Sequence, residues 1–267
     1  MSNFYNILKT TFLAFGFDLS KYNITFDIFP RRNKSEWCYI FPVQKGRDVR
    51  VLANVGNRYH EYFALLHETG HGLHFLLLDP KDILLNMGIS GIIMEGFAML
   101  WNDLLYEKIF YKQFVEDDLS TIDNDFTKLK TRQRIHRITL IFTILFEFDF
   151  YRNKLNSLTD INNLYWKRYE ELFNREPYTD NPPWAYIPHY TMAPIHIHQG
   201  SMGDITNDML RHCFEKVSGV TSYLEKPREF GRFVFEKVIK PSGAYPYLEL
   251  FKRISGEPFS LKYFTED

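Results

Sequence analysis

The sequence predicts a mainly helical α+β fold, with a small antiparallel β-sheet within about residues 24–55 ahead of a helical remainder. Three observations predict it. Short runs rich in β-branched and aromatic residues gather between residues 24 and 55. Long segments with broad apolar faces at helical spacing follow them. Beyond residue 60 the prolines punctuate those segments, as residues that cannot continue a helical hydrogen-bond ladder must.

In chain order, Phe4 to Phe15 has the spacing of a first helix. Ile24 to Phe29, Trp37 to Phe41 and Val49 to Val55 follow as short strands, with Gly46 and Asp48 placed for a turn between the last two. Tyr59 to Leu78 reads as a buried helix that stops at Asp79-Pro80. A second long helix is expected over Ile92 to Phe114, and a third over Lys128 to Arg152. The most apolar stretch of the third, Ile138 to Phe150, is too short to cross a bilayer and carries Glu147 and Asp149. Ile161 to Asn174 is amphipathic. Glu176 to Pro194 holds Pro177, Pro182, Pro183, Pro188 and Pro194, which makes it the longest irregular segment and a candidate for function. Helical patterns return at Asp204 to Val217, Arg228 to Ile239 and Tyr245 to Ile254. With no repeat, low-complexity tract or linker, residues 1–267 are expected to form a single compact domain.

At 267 residues with 45% apolar content, the chain can bury a sizeable core, and its 17% aromatic content suits a thick core or an aromatic-lined cleft. A net charge of −1 argues against nucleic acid as a partner. Cys38 and Cys213 lie far apart without paired spacing and are expected as free thiols. The apolar run Thr11 to Phe17 lacks a basic leader and a cleavage site, so a cytoplasmic protein without membrane association is expected.

The chemistry centres on His67-Glu68-Thr69-Gly70-His71. Residues four apart share a helical face, so His67 and His71 can each offer an imidazole nitrogen to one metal ion while Glu68 stands beside them as a general base. Catalytic zinc takes three protein ligands and keeps a fourth position for water, so a third donor is needed. A third histidine six residues beyond His71 is ruled out, because Leu77 stands there. Glu95 is the better candidate: a lone carboxylate in Ile92-Ile93-Met94-Glu95-Gly96-Phe97-Ala98 is costly to bury unless it meets a cation. Asp79, Asp82 and Glu61 are rivals. His60, His136 and His212 read as structural or surface residues.

Several segments carry a family likeness: Asp27 to Lys34, Val51 to Asn54, Leu66 to His74, Arg132-Gln133 with Phe146-Glu147, Pro188-His189-Tyr190, and Pro241 through Gly256. In these the sequence resembles the gluzincin peptidases of the oligoendopeptidase F and thimet oligopeptidase kind, and more distantly the angiotensin-converting-enzyme and carboxypeptidase Taq families. The resemblance implies a zincin-like catalytic domain with one zinc ion on His67, His71 and Glu95, Glu68 as base, and a peptide or an exposed protein loop as substrate. His74 matches a position where the family often carries a non-ligating histidine and reads as packing or outer shell.

The same likeness places His189 and Tyr190 in a substrate-contacting loop, with Tyr186 and His198 as further side chains there. In the family the histidine matching His189 is followed seven and nine residues later by tyrosines, whereas this chain has His196 and His198. An imidazole titrates near neutrality where a phenol does not, so His198 as an oxyanion donor would make activity fall as it deprotonates. Ile195-His196-Ile197-His198 also fits a short strand with one wet face. Asn102, seven residues after Glu95, stands where the family usually has a glutamate, and Asp103 is placed to compensate. Ser35, Glu36 and Trp37, with Cys38, are expected to receive substrate backbone as an added strand.

The chain is shorter than typical members and lacks most of the N-terminal lobe that walls their channel, which implies an open cleft or a partner chain that completes it. By the family likeness alone, an oligopeptidase or endopeptidase is expected. A catalytically silent metal- or peptide-binding relative and a narrow-spectrum protein-cleaving effector are the alternatives.

Overall fold

The computed structural model describes residues 2–56, 58–115, 122–187 and 189–265. Helix α1 spans Ser2–Ala14, and strands β1 (Ile24–Asp27), β2 (Tyr39–Gln44) and β3 (Asp48–Leu52) follow it. Then come α2 (Tyr59–Leu77), α3 (Ile83–Met87), α4 (Gly91–Asn102), α5 (Lys108–Phe114), α6 (Ile122–Arg152), α7 (Leu158–Phe173) and α8 (His189–Met192). The chain closes with α9 (His198–Ser218), α10 (Pro227–Val234), α11 (Tyr247–Ser255) and α12 (Lys262–Thr265). Two compact units form, one from residues 1–126 and 203–267 and the other from residues 127–202, and both boundaries fall inside helices, α6 and α9.

In the first unit the sheet runs β1-β3-β2. It is mixed rather than antiparallel throughout: β2 and β3 form the expected antiparallel hairpin, but β1 pairs with β3 in parallel. The reason lies in residues 28–38, which carry the chain across the sheet so that β2 enters at the far edge. Lys34, with its side chain almost fully buried, fastens this crossing by donating to the carbonyls of Asp27, Phe29 and Ala53 and to the Asp27 carboxylate. That carboxylate also takes two bonds from Arg31, and these partners hold its pKa at about 2.

The hairpin turn is set against α2. Gly46 has φ of 75°, its N–H donates to the Phe75 carbonyl at 2.7 Å, and a Cβ there would lie 2.6 Å from the Leu78 carbonyl oxygen. Gly46→Ala is therefore expected to destabilise the protein by about 1–3 kcal/mol, from left-handed backbone strain and a clash with fixed main chain, measurable by urea denaturation.

Helix α2 starts where Glu61 accepts the backbone N–H groups of Gly56 and Arg58 and ends at Leu78, before Asp79-Pro80. One face meets the sheet at Gly72, whose missing Cβ leaves room for Ile24, Ile40 and Val49. Another meets α4 at Gly70, over Ala98 and Trp101. Trp101 stacks on Phe12 with centroids 4.2 Å apart and joins Phe15 and Phe97 in the main core. The aromatic content is thus largely core.

The long helix expected over residues 92–114 is broken. It stops at Asn102, makes a 3-10 turn over Asp103–Tyr106, and resumes as α5 after Glu107 adopts an extended conformation. Asn102 and Asp103 turn their short polar side chains to buried partners, and such residues compete with the helical ladder.

The second unit is built on α6 and α7, which enclose Phe142, Phe146, Tyr165, Trp166, Tyr190 and Ile197. A Ser157–Asp160 capping box starts α7, and Asn174 at φ of 51° ends it. Within the irregular segment lie a 3-10 turn, Pro183–Tyr186, and the short α8. The alternative of a strand at residues 195–198 is not realised. Ile195 has φ of 59°, held by its N–H donating to the buried Glu147 carboxylate at 2.7 Å, and α9 begins at His198. Among the described residues no helix is long and apolar enough to cross a membrane.

Candidate metal centre

Helices α2 and α4 build the site. Because α2 is regular through the motif, His67 and His71 fall one turn apart, and their rings meet edge-on with centroids 4.6 Å apart. Glu95 arrives from α4, which lies close along α2 because Gly70 has no side chain to keep Ala98 and Trp101 away. Behind α4, Gly203 of α9 takes the backbone of Glu95 and Gly96 into direct contact: a Cβ on Gly203 would lie 2.8 Å from the Glu95 Cβ and 2.9 Å from the Gly96 nitrogen.

The three donor atoms converge. His67 Nε2 and His71 Nε2 are 3.1 Å apart, and the Glu95 carboxylate oxygens lie 3.4 Å from the first and 3.5 Å from the second. An ion holding N and O ligands at about 2.0–2.1 Å in tetrahedral order separates them by about 3.3 Å, close to each of these separations, the two to Glu95 being made by its Oε2 and its Oε1. Among the described residues these form the one His/Cys/Asp/Glu group of three that can hold a metal ion. Glu61 is occupied in capping α2 and Asp79 in accepting from the Lys81 N–H, which removes two of its rivals.

Between themselves the three groups hold a proton. Burial works to lower the pKa of His67, but the Glu95 carboxylate, helped by Glu68 and Asn102, overrides it and pushes His67 up to about 9. Burial works to raise Glu95, and the two imidazoles override it, holding the carboxylate well below its usual range. A divalent cation must displace that proton. Because the folded pKa of His67 is raised, the proton's stabilisation of the metal-free protein is present below about pH 6.5 and is lost as pH rises toward 9. Zinc affinity is expected to rise about tenfold per pH unit over the same window, with about one proton released per ion at pH 7. Calorimetry in buffers of different ionisation enthalpy checks this, and zinc uptake without proton release contradicts it.

Two features fix His67. Its Nδ1 lies 2.9 Å from Asn102 Oδ1, and Asn102 Nδ2 donates to Asp103 at 2.8 Å. His71 Nδ1, by contrast, makes no hydrogen bond among the described residues. His74 is fully buried, packs edge-on against Phe97 and is driven to about pKa 3 by burial, so it is a neutral packing residue.

Glu68 is half-buried on the turn that carries His67. Its charge reaches Cys38: burial first, then Glu68, pushes that thiol up to about 11. The segment holding Ser35, Glu36 and Trp37 leads into Cys38, which packs against the cluster that contains Leu65 of α2. It is not a strand, however. Ser35 Oγ accepts from the Trp37 N–H at 3.2 Å and the Ser35 carbonyl accepts from Asn54, so two of its main-chain groups are bonded internally. The strands at the two edges of the sheet are β1 and β2.

The remaining expected site residues belong to the second unit. His189 and His196 come together there, their rings nearly parallel with centroids 6.4 Å apart. His198 is half-buried at the start of α9, and Tyr186 is exposed. Tyr190 corrects the expectation of a substrate-facing phenol. It is 2% exposed, packs against Phe146 and has a hydroxyl that burial drives strongly upward in pKa, which makes it a core residue. Sequence reasoning missed Gly203 and Asn207. Gly203 lies one residue ahead of the helical pattern expected from Asp204, and neither residue carried a local signal.

No family model matches the sequence, and no curated protein matches it. Solved structures share its fold. An M32 carboxypeptidase from Deinococcus radiodurans R1 superimposes with a TM-score of 0.74 at 16% identity, over 99% of this chain and 57% of that one. A carboxypeptidase from Pyrococcus furiosus gives 0.73 at 18% identity, covering 99% and 57%. Metallocarboxypeptidase 1 of Trypanosoma cruzi gives 0.75 at 14%, covering 98% and 56%. The chain thus spans somewhat over half the length of these structures. The narrower likeness to oligoendopeptidase F and thimet oligopeptidase finds no support among them, whereas the carboxypeptidase Taq group, the more distant likeness, is where they fall.

Proposed function

We propose that the chain is a zinc-dependent peptidase domain of the carboxypeptidase kind. The observation that carries the proposal is the convergence of His67, His71 and Glu95 within 3.1–3.5 Å beside Glu68. Two imidazoles and a carboxylate favour zinc over magnesium, which takes oxygen ligands in octahedral order. When bound there, zinc supplies Lewis acidity, lowering the pKa of water toward neutrality and polarising a carbonyl.

The chain's own residues supply the remainder. Glu68 takes the proton of the attacking water and delivers it to the leaving amine. Asn102 and the α2 backbone keep His67 oriented, and Gly203 sets the depth at which Glu95 enters. The solved neighbours named above are carboxypeptidases, which favours removal of C-terminal residues over internal cleavage. The silent-relative alternative is weakened by Asn102, which engages His67 rather than leaving it unsupported.

Mass spectrometry of a mixture of unblocked and C-terminally amidated peptides, incubated with the zinc-loaded protein, tests the proposal. Successive loss of C-terminal residues from the unblocked peptides alone is expected. Internal cuts in both would restore the endopeptidase reading, and no cleavage with zinc bound would favour a silent relative.

A further inference from the structure

Behind His67 lies a buried polar chain that crosses three segments of the first unit. His67 Nδ1 meets Asn102 Oδ1 at 2.9 Å, Asn102 Nδ2 donates to Asp103 Oδ1 at 2.8 Å, and Asn207 Nδ2 of α9 donates to Asp103 Oδ2 at 2.8 Å. Asn102, Asp103 and Asn207 are respectively 1%, 3% and 0% exposed. No bulk water competes for these bonds, so each group's donor or acceptor character is imposed on the next.

The direction of the chain follows from its one acceptor-only member. An ionised carboxylate can only accept, so Asp103 turns the Asn102 NH2 toward itself. The Asn102 oxygen then faces His67 and accepts, which requires a proton on Nδ1. With that proton in place, the lone pair of the neutral ring lies on Nε2, the atom that faces His71 and Glu95. Asn207 stops Asp103 from rotating away by holding its other oxygen.

We infer that Asn102 and Asp103 are positioning residues for the metal centre: the Asn102 amide bridges His67 to the Asp103 carboxylate and thereby fixes both the tautomer and the ring orientation of that ligand. This is a carboxylate–histidine support with an amide inserted, in which Asp103 acts on His67 without touching it. The inference rests on the proposed zinc site, but its outcome separates from that of the proposal.

The test compares zinc affinity, by competition with a chromophoric chelator at pH 7, in the wild type, Asp103→Asn, Asn102→Leu and the exchanged pair Asn102→Asp with Asp103→Asn. Loss of such support lowers metal affinity about ten- to a hundredfold, and this is expected for Asn102→Leu, with about tenfold for Asp103→Asn. In the exchanged pair, the carboxylate introduced at position 102 accepts from His67 and from the amide introduced at position 103, and the oxygen of that amide accepts from Asn207. Every bond has a donor and an acceptor, and affinity is expected within about threefold of wild type.

A second readout is one that packing alone does not move. In the zinc-loaded wild type and exchanged pair the His67 Nδ1–H resonance is expected to be protected from water exchange, and in Asn102→Leu that protection is expected to be lost. Equal affinities in all four proteins, or a tenfold loss in the exchanged pair, overturn the inference while leaving the zinc site standing. A folded wild type that takes up no zinc overturns both. Should Asp103→Asn fail to fold, the exchanged pair decides alone.

Discussion

Glu68→Gln is expected to retain about one zinc ion per chain and to lose turnover by a factor of about 10²–10⁴, the range that a positioned general base contributes. The separation of the two effects follows from geometry. The metal-facing atoms are His67 Nε2, His71 Nε2 and a Glu95 oxygen, and Glu68 is not among them. Glutamine keeps the size of the side chain and its place on α2 but cannot take a proton from water. Metal content by atomic emission and turnover of C-terminally unblocked peptides together check this result. Loss of zinc in the variant would make Glu68 a ligand and void its assignment as base, and unchanged turnover would move the base elsewhere.

The residues that sequence made legible are those whose chemistry repeats at a structural period. His67 and His71 stand out because helical spacing alone puts them on one face, and Glu95 because a carboxylate among apolar neighbours needs a cation. Gly46 was legible as a turn for a similar reason. What stayed hidden depends on contacts between segments distant in the chain. Asn102 looked like a lost carboxylate with Asp103 as its compensation, but nothing local says that Asp103 acts through the Asn102 amide or that Asn207 holds it from behind. The family likeness of Pro188-His189-Tyr190 pointed to a substrate residue at Tyr190, and a proline-rich segment shows no periodicity from which to tell its buried side from its wet one. The alternation at residues 195–198 suggested a strand, and a single buried carboxylate, Glu147, instead holds Ile195 in a left-handed turn. The parallel pairing of β1 was likewise out of reach, since strand composition does not encode which neighbour a strand finds.

Gly203→Ala is expected to weaken zinc binding at least about tenfold while destabilising the protein by about 1–3 kcal/mol, although residue 203 touches no metal. Its Cβ would lie 2.8 Å from the Glu95 Cβ, 2.9 Å from the Gly96 nitrogen and 3.1 Å from the Glu95 carbonyl carbon. Two of those atoms are main chain and cannot swing aside as a side-chain tip can, so α4 must shift as a body. From the other side the crossing is equally tight, because a Cβ on Gly96 would lie 2.8 Å from the Thr206 Cβ. Separating the helices by the few tenths of an ångström or more that a methyl group demands therefore moves Glu95 relative to His67 and His71. Metal coordination tolerates only about 0.2 Å of error in ligand distance, whereas helix packing absorbs such a shift at modest cost. Affinity should thus suffer more than folding. Parallel measurement of zinc dissociation and of urea unfolding in the metal-free protein distinguishes the two, and a variant that unfolds more easily yet holds zinc as tightly as wild type would show that Glu95 is not positioned by this crossing.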